Sequence, residues 1–76
     1  MEKKLTLLAA RDKNADGSGD VWLYQDKPHC EKVGGDHVFF GDVWLADATE
    51  CFGNIFDDIT FEDSPVEVEL TIKIKE

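Results

Sequence analysis

The sequence predicts a mainly β, β-rich α+β fold: four to five antiparallel strands as a single sheet or small open barrel, with one short helical turn near residues 48–52. Three observations predict it. Val66, Val68, Leu70, Ile72 and Ile74 alternate strictly with Glu67, Glu69, Thr71, Lys73 and Lys75, a period of two over ten residues. Two apolar runs, 5–10 and 20–25, flank a loop made of Asp, Asn, Gly and Ser. Finally, a chain of 76 residues has material for one domain, 1–76, whose eight aromatic residues are needed first as core.

Leu5, Leu7 and Ala9 alternate with Thr6, Leu8 and Ala10, which predicts a first strand ending near Arg11. The loop from Asp12 to Gly19 tolerates left-handed backbone and supplies side-chain caps for free amides. Asp20-Val21-Trp22-Leu23-Tyr24-Gln25 is aromatic and β-branched, hence a second strand, hairpinned to the first and ended near Lys27 by Pro28. The stretch 29–36 is looser and turns at Gly34-Gly35. Val38 to Leu45 is either one strand with a bulge at Gly41 or two short strands turning at Gly41-Asp42. Asp47-Ala48-Thr49-Glu50 resembles a capping box with Asp in the Ser/Thr place, which starts the helical turn, and Gly53 closes it. Ile59 to Glu62 is expected to be extended, up to the break at Ser64-Pro65. The segment Gly19-Asp20-Val21-Trp22-Leu23 recurs as Gly41-Asp42-Val43-Trp44-Leu45, 22 residues on; the flanks share little, so the expectation is two similar strand entries and not a duplication.

Seventeen acidic and eight basic residues give a net charge of −9. Residues 12–63 carry −10 of it, whereas 1–11 carry +2 and 64–76 carry −1. A chain so acidic lacks the basic footprint that neutralises phosphates, so direct nucleic-acid binding is disfavoured. No apolar run approaches the ~18 residues of a membrane span. The N-terminus starts like a signal peptide, but its apolar stretch is only about six residues and meets Arg11-Asp12-Lys13, so a cytoplasmic setting is expected. In that setting Cys30 and Cys51 are expected as free, buried or half-buried thiols; a disulfide would close a loop of about 20 residues for about 3 kcal/mol. Lys3, Lys4, Lys73 and Lys75 are expected to face Glu67 and Glu69 across paired terminal strands.

Asp12-x-Asn14-x-Asp16-Gly17-Ser18-Gly19-Asp20 is the strongest chemical motif. Asp12, Asn14, Asp16, Ser18 and Asp20 occupy the oxygen-ligand places of an EF-hand loop, with Gly17 at the sharp turn. A calcium ion needs such a cluster to replace its hydration shell. The motif departs from the pattern at Leu23, where the bidentate Glu belongs, and its flanks are strands instead of helices. The same residues also make any hairpin turn. His29, Cys30, His37 and Cys51 are the right types for zinc, at a spacing that matches no compact knuckle. There is no GxGxxG, phosphate loop or HExxH, and Asp57-Asp58 and Glu62-Asp63 are solvated acids, so no enzyme is expected.

Residues 10–13, 21–24, 27–28 and 59–70 resemble a set of short, uncharacterised bacterial β-rich proteins. That resemblance implies a cytoplasmic bacterial or mobile-element setting and brings no functional residues. The expected function is a small acidic, non-enzymatic protein-interaction module. Its exposed edge strand would join a protein partner or a second copy as a homodimer. The alternatives are a calcium-binding loop at 12–20 and an acidic mimic of nucleic acid that blocks a basic protein.

Overall fold

The computed structural model describes residues 1–75. Strand β1 (Glu2–Arg11) hairpins through the 12–20 loop into β2 (Val21–Tyr24), as the flanking apolar runs demand. The hairpin β3 (His29–Val33) and β4 (Asp36–Phe40) follows, then β5 (Val43–Leu45), the helical turn α1 (Ala48–Phe52), a 3-10 turn (Gly53–Phe56) and β6 (Val66–Lys73). Four strands form an antiparallel sheet in the order β5-β2-β1-β6; β3 and β4 form a second, two-stranded sheet, tied to the 12–20 loop by an antiparallel bridge between His37 and Lys13. The main sheet stays open, with β5 and β6 at its edges, and is not a barrel.

Several expectations need correction. The fold is mainly β with a main sheet of four antiparallel strands, as expected, but a second, two-stranded sheet stands beside it. The stretch 29–36, expected to be loose, contains β3, which is exposed at every position and so carries no burial alternation to detect. Its two-residue turn has Gly34 at φ +63° and Gly35 on the ordinary side, the pattern of a type II′ hairpin turn, whose first position favours glycine. Gly41-Asp42 separates two strands, β4 and β5, which lie in different sheets. Residues 59–62 form no strand: 59 and 60 are irregular and lead into a turn at 61–63. Helix α1 has the expected extent, but Asp47 adopts a left-handed conformation and its side chain caps no backbone amide. Instead its carboxylate accepts the Thr49 hydroxyl at 3.0 Å. Of the eight aromatics, Phe40, Trp44 and Phe52 are exposed; Phe40 follows buried Phe39 in a strand, so it points to the opposite face. Of the recurring Val-Trp-Leu runs, one lies in β2 and the other in β5, and the two strands pair, with Leu23 beside Leu45.

The sheet is covered on both faces, but only at one end. On one face Leu7, Ala9, Val21, Leu23, Ala48 and Phe56 form a buried cluster against which Leu5, Leu45, Ile59, Val68 and Leu70 pack. On the other, Ala10, Tyr24 and Phe39 are buried, flanked by Leu8, Trp22 and Phe61. Strand β2 reaches only as far as Leu8 along β1. Beyond that point β1 and β6 continue as a two-stranded ribbon, covered as far as Leu5 and Leu70 and bare past them, which gives the molecule its 49 × 23 × 18 Å proportions.

Candidate functional site

The two ends of the sheet differ in how completely they are finished. Register between β1 and β6 is set by burying Leu5, Leu7 and Ala9 beside Leu70, Val68 and Val66; a one-residue slip would turn these faces to water. That register overturns the expected charge pairing. Lys3 lies opposite Ile72, Lys4 opposite Thr71 and Lys73 opposite Glu2, while Glu67 and Glu69 lie opposite Leu8 and Thr6. Among the described residues, Glu67, Glu69, Lys73 and Lys75 form no ion pair within the protein; the terminal ribbon has only the contact of Lys4 with Glu2, at 4.0 Å.

The ladder also fixes which backbone groups of β6 are spoken for. The Ile74 amide donates to the Met1 carbonyl at 2.9 Å, and at the other end the Arg11 amide donates to Ser64 Oγ at 2.9 Å. Hydrogen-bonded pairs alternate with non-bonded ones in an antiparallel ladder. Val66, Val68, Leu70 and Ile72 therefore turn their amides and carbonyls toward β1. Those of Glu67, Glu69, Thr71 and Lys73 point away from the sheet, along an edge that no other strand covers among the described residues. The apolar face follows the same gradient: Val66, Val68 and Leu70 are half-buried, but Ile72 is 45% and Ile74 49% exposed. An unpaired edge beside exposed β-branched residues is the arrangement that accepts another strand.

The 12–20 loop is a hairpin connection whose polar atoms are largely engaged internally. The Asp12 carboxylate accepts the Phe39 amide at 3.0 Å and so ties the loop to β4. Asp16 Oδ1 accepts both the amide and the hydroxyl of Ser18, at 2.9 and 2.6 Å. The Asn14 side chain donates to Ser18 Oγ, its amide donates to the Ser18 carbonyl, and Asp20 accepts the Thr49 hydroxyl at 3.3 Å. The five proposed calcium ligands thus face different partners: Asn14, Asp16 and Ser18 cluster with one another, while Asp12 and Asp20 turn to β4 and α1. Among the described residues no three His, Cys, Asp or Glu side chains converge as a metal-holding group. A β-carbon on Gly19 would run into the Asp12 carbonyl, so this close crossing of the hairpin's two arms requires glycine.

Ionisation follows the same geometry. Burial raises the Asp12 carboxyl, the Phe39 amide opposes this, and the Asp20 charge adds to the rise. The Ser18 hydroxyl and amide hold Asp16 below its ordinary value. Burial, with the nearby Asp12 charge, pushes the Tyr24 phenol up to about 12, and its hydroxyl donates to the Phe39 carbonyl at 3.2 Å. Because the folded state keeps the phenolic proton longer than the unfolded chain does, Tyr24 favours folding below about pH 10, and that contribution is lost as pH climbs toward 12. As Tyr24 is the sole tyrosine, ultraviolet titration should show one tyrosinate transition near pH 12, moving to about 10 in denaturant.

Two clefts mark the surface. One, of about 260 Å³, lies between Arg11, Lys13, Ile59 and Phe61; the other, of about 180 Å³, lies between Trp22, Phe39, Phe40 and Val43. Neither is lined by His29, Cys30, His37 or Cys51. Both cysteines are unpaired and exposed, in place of the expected burial: Cys30 sits on the fully exposed β3 and Cys51 on the outer side of a single helical turn.

Arg11 is the residue the sequence gives least warning of. Its guanidinium donates to the carbonyls of Ile59, Gly19 and Phe56 at 2.6, 2.7 and 3.0 Å, binding the 12–20 loop to the 53–65 segment. Only its position at the end of an apolar strand hinted at a special environment.

No family model matches the chain, and comparison with curated proteins and with solved structures gives no match either.

Proposed function

We propose that the protein is a non-enzymatic interaction module that offers the outer edge of β6 to a strand of a partner protein. The observation that carries this reading is the row of outward backbone groups at Glu67, Glu69, Thr71 and Lys73, lying beside the exposed Ile72 and Ile74. Main-chain hydrogen bonds to an added strand supply affinity, and side chains alternating on its two faces supply specificity.

Thr71→Pro tests the reading. Its amide points outward, so proline removes one donor from the free edge and none from the ladder with β1. Leu70→Pro, one residue away, removes a donor that β1 uses and serves as the unfolding control. The Thr71→Pro protein is expected to keep the wild-type circular dichroism spectrum. It should lose by about tenfold or more whatever the wild type binds through this edge, whether followed by sedimentation or by affinity capture from source cells. Equal binding by wild type and variant, or a wild type that stays monomeric and captures nothing, would remove the edge from consideration.

A further inference from the structure

The partner strand can be specified further, resting on the reading of β6 as an open edge. We propose that it is the β6 of a second copy, running antiparallel about a two-fold axis at Thr71. A two-fold axis perpendicular to the sheet sets each residue opposite one on the same face. Centred on Thr71, it places Glu67 opposite Lys75 of the partner subunit and Glu69 opposite Lys73 of the partner subunit, each pair occurring twice, with the two Thr71 residues facing one another. On the other face Val68 meets Ile74 of the partner subunit and Leu70 meets Ile72 of the partner subunit. Every position from 67 to 75 then has a complementary neighbour.

The chain's own geometry selects this arrangement over the alternatives. Glu67, Glu69, Thr71 and Lys73 are the residues whose amides and carbonyls point outward, and these are the ones that must form the hydrogen-bonded pairs of the new ladder. The four charged residues lack ion-pair partners within the described protein, with both acids on one side of Thr71 and both bases on the other. Moving the axis to Leu70 keeps only the Glu67–Lys73 pairing, and moving it to Ile72 keeps only Glu69–Lys75. In-register parallel pairing would set acid against acid and base against base, which is unfavourable. The product is a continuous eight-stranded sheet, β5-β2-β1-β6 followed by its mirror order, in which the exposed Ile72 and Ile74 gain lateral apolar neighbours.

Paired charge reversal tests it. One variant carries Glu67→Lys and Glu69→Lys, the other Lys73→Glu and Lys75→Glu. Alone, each places like charges across the axis in every pairing and is expected to associate at least about tenfold more weakly than wild type in sedimentation over a concentration series. Mixed in equal amounts, the two are complementary at all four pairings and are expected to form a heterodimer of near wild-type affinity. Circular dichroism checks that each folds; should either fail to, Glu67→Gln with Glu69→Gln replaces it, with several-fold weaker association expected. A wild-type dimer that both reversals leave intact overturns the proposal, because the interface then lies elsewhere. A monomeric wild type whose capture of a different protein is lost on Thr71→Pro overturns self-pairing but leaves the edge reading standing. A monomer with no Thr71→Pro-sensitive binding removes both.

Discussion

Replacing Leu23 by alanine is expected to lower stability by about 3 kcal/mol, within the range of about 2–5 for a fully buried leucine. Leu23 has no exposed surface, lies at the centre of the main buried cluster and sits directly beside Leu45 on β5. The sheet backbone on one side and Ala48 and Phe56 on the other leave little freedom for the site to collapse. A domain of this length is stable by only about 4–11 kcal/mol, so the loss is a large part of the whole. Urea unfolding should show a lower midpoint with an unchanged slope, and the melting temperature should fall by on the order of 15 °C. A shift of only a degree or two would mean that Leu23 is not at the centre of the core.

Arg11→Ala is the second large effect, expected to cost about 2–3 kcal/mol through charged hydrogen bonds to three carbonyls. The segment 53–65 has a 3-10 turn as its one regular element, with no strand to hold it, and it covers one face of the core through Phe56 and Ile59. The guanidinium fork reaches the Ile59, Gly19 and Phe56 carbonyls together, which an ammonium, as a single point donor, cannot do to the same extent. Arg11→Lys should therefore recover only part of the loss. Limited proteolysis offers a local readout: cleavage within 53–65 should accelerate in Arg11→Ala more than cleavage elsewhere. Uniform acceleration would assign Arg11 to global stability alone.

Legibility in the sequence depended on whether burial imposed a period. β6 was readable because Val66, Val68 and Leu70 face the core and Glu67 and Glu69 face water, a local pattern that needs no knowledge of the partner strand. β3 was not, since a strand exposed on both faces leaves no alternation in its residues. The 12–20 loop was readable as a turn but ambiguous in chemistry, because Asp, Asn, Gly and Ser serve ion binding and hairpin closure alike. The contact that ties this loop to the rest of the fold lies far away: the Asp12 carboxylate accepts the amide of Phe39, 27 residues along the chain. Arg11 was opaque for the same reason. Its acceptors are backbone carbonyls up to 48 residues distant, and a carbonyl has no sequence signature.

The candidate site divides in the same way. The order of charges along β6, acids before Thr71 and bases after it, belongs to the amino-acid sequence alone, as does the alternation that keeps those charges on one face. That β6 lies at an edge, that β1 claims the amides of Val68, Leu70 and Ile72, and that Ile72 and Ile74 stay exposed were decided only by the tertiary structure. Periodicity is a property of neighbouring residues and survives in any register. Which edge of a strand is left open depends on which distant segments win the competition to pair with it, and here, among the described residues, β1 takes one side of β6 and no strand takes the other.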